Sequence, residues 1–247
     1  PVMANAAIAI TVLEDSGSNT VSVSNFAASD SDSGQTLTWS ASGGTKGTPQ
    51  ASGTASTPTS NATPTSVNYT PTANAAGSDT FSVNVSDGID TDSRTVNVTI
   101  TPVNDEPTIS TLANQTFNGV GGSAQTVAGF ASMSSTGGGA DENTQTVDGY
   151  VVSEVSDPSG VVSSVSIASN GTLTYTPTAN VEGVATIQAQ VRDSGGLTNG
   201  GDDLSQTETF TITVDTLAPS LSEVTAVTSP TGDSTPDVTI DVSQAGT

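Results

Sequence analysis

The chain has 247 residues, 25 of them acidic, and only Lys46, Arg94 and Arg192 carry positive charge, for a formal net charge of −22. That balance excludes nucleic acid and anionic membrane as partners, because phosphate binding takes clustered Lys and Arg. Cys and His are absent, which removes disulfide staples, the thiol nucleophile and the usual general base, so an enzyme is not expected.

Strand signals dominate from the start. A first alternating run closes on Glu14-Asp15, and Asp30 and Asp32 follow in a Ser/Asp/Gly turn. The segment Ala41–Ser66, rich in Gly, Ser, Thr, Pro and Ala, reads as a flexible surface loop, with an O-glycosylated patch as the lesser alternative. Tyr69-Thr70-Pro71-Thr72-Ala73-Asn74 comes next, then Phe81, Val83 and Val85 at period two, leading to Asp87. Val98 and Ile100 form the last alternating stretch before the run Pro102-Val103-Asn104-Asp105-Glu106-Pro107. Such alternation places one face of each strand in a core.

The hexapeptide then recurs as Tyr175-Thr176-Pro177-Thr178-Ala179-Asn180, at an offset of 106 residues. At that offset Phe81, Val83, Val85 and Asp87 fall on Ile187, Ala189, Val191 and Asp193. One domain has been duplicated. Before the second copy lie Asp141-Glu142 and a hairpin signal at Asn170-Gly171. After it, Asp202-Asp203 sit in an insertion that carries the offset to 112 at Phe210, Ile212 and Val214, and the chain passes through Asp215 into new sequence. The expected domains are 1–103, 104–215 and a third unit opening at 216 and cut off at 247. A chain that begins at a repeat start and ends inside a repeat reads as an excised fragment, with its anchor and secretion signal outside it. No stretch approaches a membrane span in length.

Many short strands punctuated by Gly, Pro, Asn and Asp imply an all-β fold of tandem antiparallel β-sandwiches. Short, Pro-containing links between units favour an elongated array over loosely strung beads. The nine aromatic residues include Trp39, Tyr69 and Tyr175 in alternating patterns, which point to core packing rather than to a sugar platform.

The acidic residues gather at turns and at the run around Asn104. Two carboxylates ~4 Å apart repel by roughly 1 kcal/mol in water, and more where water is excluded. Converging acidic loops therefore call for a cation. Oxygen-only donors without His or Cys suit Ca²⁺ and not zinc or copper. Asp, Asn and Gly also populate turns for conformational reasons alone, and that alternative stays open for any one cluster.

The ordered set Leu13-Glu14-Asp15, Asp30-Ser31-Asp32, Tyr69-Thr70-Pro71, Val85-Ser86-Asp87-Gly88 and Pro102–Pro107 resembles the bacterial cadherin-like and immunoglobulin-like tandem repeats of large secreted, RTX-type adhesins. Residues 215–247 look like the opening of a different bacterial immunoglobulin-like repeat. The resemblance implies Ig/cadherin-like sandwiches, Ca²⁺ near the junctions, and a stalk at the cell surface or in the secreted, biofilm-forming space. Carried over by position, the ligand candidates are Glu14, Asp15, Asp30, Asp32, Asp87, Asn104 and Asp105. In the second unit Asn118-Gly119 stand where Glu14-Asp15 would be, and Asp141, Glu142, Asp193, Asp202 and Asp203 are the compensating candidates. The second junction offers only Asp215. The expected partners are neighbouring repeats of the same chain, with homo-assembly or a host or matrix surface beyond them. A self-assembling filament or surface-layer subunit, and a carbohydrate- or protein-binding module, are the alternative functions.

Overall fold

The computed structural model describes residues 1–4, 6–216, 221–223 and 240–242. They form two compact units: Pro1–Thr108 with Ser134–Thr146 and Asp193–Ser205, and Ile109–Met133 with Val147–Arg192 and the chain from Gln206 onward. Each is built of β-strands, as the alternation requires, and among the described residues no helix is long and apolar enough to cross a membrane. Leu221–Glu223 and Ile240–Val242 pair antiparallel. The rest of the expected third repeat lies outside the described residues.

In the first unit one sheet runs in the order Ile8–Leu13, Thr91–Thr101, Gly77–Ser86, Thr36–Gly43, Thr54–Ser56. Short sheets of Asn19–Thr20, Ser66–Pro71 and Gly47–Ser52, and of Val2–Met3, Ala28–Asp30 and Thr59–Ala62, complete it. Their inward residues close one core, with Phe26, Leu37, Trp39, Val67, Tyr69, Val83, Val85, Val96 and Ile100 among those buried. Trp39 donates its indole N–H to the Phe26 carbonyl, 3.1 Å away, so its one polar atom is satisfied inside that core.

The Gly/Ser/Thr-rich segment 41–66 is not the expected surface loop. It supplies the end of the strand Thr36–Gly43 and all of Gly47–Ser52, Thr54–Ser56 and Thr59–Ala62. Composition misled because the inward positions are small residues such as Ala51, Ala55 and Ala62, which pack against the core without a visible hydrophobic signal. Gly47–Ser52 pairs with Ser66–Pro71 over six residues, so main-chain hydrogen bonds hold it.

The second unit repeats the plan. Gln115–Asn118, Glu208–Asp215, Gly183–Asp193 and Val147–Ser156 form one sheet, and Gln125–Val127, Leu173–Pro177 and Val162–Ile167 the other. The hairpin predicted at Asn170-Gly171 joins Val162–Ile167 to Leu173–Pro177, with Val165 opposite Tyr175. Ile187, Ile212, Phe210 and Leu173 are fully buried, and Phe130 meets Phe210 edge-on at 4.8 Å.

Neither sandwich is wholly antiparallel. The first strand of each large sheet runs parallel to the last, Ile8–Leu13 beside Thr91–Thr101 and Gln115–Asn118 beside Glu208–Asp215. The register also corrects the duplication. Ile100 lies opposite Gly77 and Val214 opposite Gly183, so the last strands are offset by 114 residues and not 112. Both values are even and keep the same face inward, so alternation alone could not separate them.

Candidate functional site

The predicted ligand residues fall into two groups. One lies where the strand Ala28–Asp30 ends and the turn after Gly77–Ser86 begins. Carboxylate oxygens of Asp30, Asp32 and Asp87 all lie within 4.8 Å of one another. Two of the three carboxylates are aimed by the local main chain. Asp30 Oδ1 accepts the Asp32 N–H at 3.0 Å. Asp87 Oδ1 accepts the N–H groups of Ile89 and Asp90 at 2.8 and 2.7 Å. Those two bonds hold the Asp87 carboxyl below its usual range. Asp30 is 8% exposed, and its Oδ2 is buried and accepts no hydrogen bond. A groove of about 710 Å³ lies alongside, lined by Pro1, Val2, Asp30, Asp32, Pro58 and Thr59 among others.

The other group surrounds Pro102–Pro107 and belongs to the first compact unit. Glu14, at the end of its strand, is 2% exposed; Oε1 accepts the Val103 N–H at 2.6 Å and Oε2 accepts nothing. Burial pushes the Glu14 carboxyl up against the pull of Val103, and Asp141, Asp15 and Asp105 push it further. Asp15 adopts a left-handed backbone with φ 56°, and its Oδ1 accepts the Asn74 N–H at 3.2 Å.

Asn104 is the strut of this group. Its Nδ2 donates to Asp193 Oδ1 at 3.0 Å and to the Asp202 carbonyl at 2.7 Å, while its Oδ1 accepts from Gln145 Nε2 at 2.7 Å. The Asp202 N–H returns to the Asn104 carbonyl at 2.8 Å. Glu142, 2% exposed, accepts the Asp105 N–H at 2.7 Å on one oxygen and the Gly138 N–H at 2.5 Å on the other. Glycine is required where these segments approach. A Cβ at Gly195 would lie 1.8 Å from Asn104 Oδ1, and one at Gly138 would lie 2.2 Å from Glu142 Oε2.

The hydrogen bonds leave a set of oxygens over. Glu14 Oε2, Asp105 Oδ2, Glu106 Oε1, Gln145 Oε1 and Asp193 Oδ2 are buried and accept no hydrogen bond. A buried carboxylate oxygen without a partner is costly. Burial, reinforced by Asp15, Glu142 and Asp141, also pushes the Asp105 carboxyl up. Four of the five are carboxylate oxygens and one, on Gln145, is an amide oxygen; all are hard oxygen donors, and none is on His or Cys.

The structure therefore regroups the candidates. Asp30, Asp32 and Asp87 meet one another. Glu14, Asp15, Asn104 and Asp105 share hydrogen bonds or cavity walls with Asp141, Glu142, Asp193 and Asp202, and the Asp203 carbonyl accepts the Asp193 N–H at 3.0 Å. Asp215 joins neither group; it ends the strand Glu208–Asp215, and its carbonyl accepts the Gly119 N–H at 2.9 Å. The same bond runs from the Glu14 N–H to the Thr101 carbonyl. Gly119, not Asn118, therefore occupies the position of Glu14, and Val120 that of Asp15. The Asn180 N–H accordingly goes to the Val120 carbonyl at 2.8 Å, where Asn74 uses the Asp15 carboxylate. Glu106 and Gln145 were not among the predicted ligands. Adjacency to Asn104-Asp105 is the signal that would have found Glu106; for Gln145 only its place three residues after Glu142 hints at it.

All nine aromatic side chains are buried or half-buried, so none forms an exposed stacking platform.

Residues 1–101 match the bacterial Ig domain family, in agreement with the resemblance read from the sequence of that stretch. No curated protein matches the chain. Among solved structures, Drosophila N-cadherin EC1-4 is 14% identical with a TM-score of 0.48, covering 88% of this chain and 50% of that one. Human protocadherin-24 EC1-2 is 17% identical with a TM-score of 0.48, covering 85% of this chain and 95% of that one. Mouse protocadherin-24 EC1-3 is 18% identical with a TM-score of 0.46, covering 98% of this chain and 74% of that one. This chain thus spans half the length of the N-cadherin fragment.

Proposed function

We propose that this chain is a structural segment of an extracellular stalk, part of a bacterial surface or secreted adhesin of the RTX type, rigidified by Ca²⁺. Repeats at 1–103 and 104–215, with a third opening at 216, would set a working module at a fixed distance from the cell. The observation that carries the reading is the set of five buried, unpartnered oxygens around Asn104. They are side-chain oxygens of Glu14, Asp105, Glu106, Gln145 and Asp193. Each costs free energy as it stands, and cations seated among these loops would offset that cost.

A cation there ties Glu14 and the run Pro102–Pro107 to the segments 134–146 and 193–205, which the duplication assigns to the second repeat. Sequence-distant loops that otherwise repel would become one rigid body. Asp30, Asp32 and Asp87 form the second proposed Ca²⁺ position. Asp215 remains a candidate ligand only toward the third repeat. The reading is non-enzymatic, with neighbouring repeats as the direct partners and homo-assembly or a matrix surface as the outer ones.

Ca²⁺ at millimolar concentration is expected to raise the melting temperature, since a ligand present at 1–10 times its Kd stabilises the folded state by about 0.4–1.4 kcal/mol. Sites in extracellular modules work at Kd values on the order of 10⁻⁴–10⁻³ M. Calorimetry with and without chelator reads the shift, and small-angle scattering reads the stiffening. Melting and scattering that ignore chelator would reject calcium rigidification.

A further inference from the structure

The strand Val147–Ser156 ends the larger sheet of the second unit. It pairs with Gly183–Asp193 on one side, and among the described residues no strand pairs with the other. At 10 residues it is the longest edge strand described in either unit. The first unit closes the corresponding edge. There Thr54–Ser56 pairs antiparallel with Thr36–Gly43, with Ala55 opposite Leu37. That short strand comes from residues 53–65, which link Gly47–Ser52 to Ser66–Pro71. In the second unit the matching link is the tight turn 168–172, where the Gly171 N–H donates to the Ala168 carbonyl at 2.8 Å. It has no residues to spare for a covering strand.

The strand contains no Lys and no Pro, the usual guards of an exposed edge. Tyr150 and Val152 pack against the core, so alternation turns Val151, Ser153 and Val155 outward. Val151 is 41% exposed and Val155 53%. The segment Tyr150–Ser156 is self-complementary when set antiparallel against itself about a two-fold axis at Ser153. Val151 of each copy then falls opposite Val155 of the other, Val152 opposite Glu154, and Tyr150 opposite Ser156. Two apolar cross-strand pairs form on one face, and no like charges are opposed. An axis at Val151 would set Asp148 opposite Glu154, and an axis at Val152 would part the valines.

We propose that the Val147–Ser156 edge binds a second copy of this chain, by antiparallel pairing of Tyr150–Ser156 centred on Ser153. The main chain supplies the hydrogen bonds, and the two valine pairs fix the register. The contact is isologous, so each edge closes with one partner. A net charge of −22 on each copy opposes the encounter, and added salt therefore strengthens the pairing. The pairing gives a surface to the homo-assembly named in the proposed function; it rests on that part of the reading and uses none of the calcium ligands.

Sedimentation equilibrium of the intact chain in chelator, from micromolar to millimolar protein, is expected to show a monomer–dimer equilibrium that tightens as salt is raised. The variants are compared at about 0.15 M salt, where a Debye length of about 8 Å leaves cross-strand charge pairs active. Val151→Lys with Val155→Lys lowers the net charge but opposes like charges twice, and is expected to weaken the dimer at least about tenfold. Val151→Lys with Val155→Glu sets opposite charges across the axis and is expected to restore it, which no other register would do. The chain has no cysteine, so Ser153→Cys places a single thiol on the axis. Facing Cα atoms there lie about 4.5–5.5 Å apart, within disulfide reach. In oxidised glutathione this variant is expected to form a disulfide-linked dimer several-fold faster than Ser169→Cys, an exposed position in the hairpin turn. Thermal melts matching the parent show that each variant is folded.

A chain that stays monomeric to millimolar concentration overturns the pairing. So does a Lys/Glu variant as weak as the Lys/Lys variant, or equal cross-linking rates at the two cysteines. Dimers that form only with Ca²⁺ overturn it as well and assign homo-assembly to the cation. A melting temperature that ignores chelator rejects the calcium reading alone, and the three results above still decide the edge.

Discussion

Replacing Asp79 by alanine is expected to destabilise the first unit by about 3–5 kcal/mol, because it leaves several buried donors without an acceptor, each costing about 1–3 kcal/mol. The Asp79 carboxylate accepts the Tyr69 hydroxyl at 2.6 Å, the Thr45 hydroxyl at 3.0 Å, the Thr45 N–H at 3.0 Å and the Lys46 N–H at 3.1 Å. Tyr69 is fully buried and stacks on Phe81 at 5.5 Å, so its hydroxyl cannot turn to water when the acceptor goes. Trp39 is the single tryptophan and lies in the first core. Its fluorescence in a urea titration therefore reports this unit alone. A shift below about 1 kcal/mol would mean that the bonds are replaced at little cost.

The same residue gives a pH signature. Burial alone would push the Asp79 carboxyl up, but the bonds from Tyr69, Thr45, Lys46 and Thr80 outweigh it and hold the pKa at about 2, from an ordinary 3.8. A depressed carboxylate stabilises above its unfolded pKa and loses that contribution as pH falls through the folded one. The first unit should therefore lose about 2 kcal/mol as the pH drops from 3.8 toward 2. Asp79→Asn should flatten that part of the curve. At an offset of 106 the second unit has Ala185 in this position, opposite Ile212 as Asp79 is opposite Val98, so the signature belongs to the first unit only.

The double variant Glu14→Gln, Asp193→Asn is expected to change stability with opposite sign in the presence and absence of Ca²⁺. Without the cation each substitution removes a buried negative charge from a self-repelling group, and the chain gains stability. With saturating Ca²⁺ the variant loses most of the stabilisation that the cation supplies, on the order of 1.5–3 kcal/mol. Glutamine and asparagine keep the oxygens that accept the Val103 N–H and the Asn104 and Gly195 N–H groups, so the scaffold persists. Paired thermal melts with and without chelator measure the crossing. A variant that is equally destabilised in both conditions would assign Glu14 and Asp193 a purely structural role.

The strands were legible wherever large residues alternate. Phe81, Val83 and Val85 pointed inward as expected, and so did Ile187, Ala189 and Val191. The strands within 41–66 were not legible, because Ala and Thr at their inward positions look the same in a loop. The offset of 114 was hidden because slipping a strand by two residues leaves its inward face unchanged. The acidic residues were legible as candidates but not as groups. Asp141, Glu142, Asp193 and Asp202 meet Glu14 and Asp105 only through the tertiary path of two long segments. Nor did residue type tell an oxygen spent on a backbone N–H from one left over. Glu142 spends both of its carboxylate oxygens in this way, whereas Glu14 spends only one.

The parallel pairing of first and last strands bears on a chain pulled by its ends. Tension along such a pair loads every cross-strand bond at once, in shear, instead of peeling them open one after another. The first unit has six residue pairs in this contact, Ile8 to Leu13 against Val96 to Thr101, and the second has four, Gln115 to Asn118 against Ile212 to Asp215. Under a steady pull the second unit is expected to yield first and lengthen the tether while the first stays folded, a sequence of two unequal force peaks that single-molecule stretching would resolve.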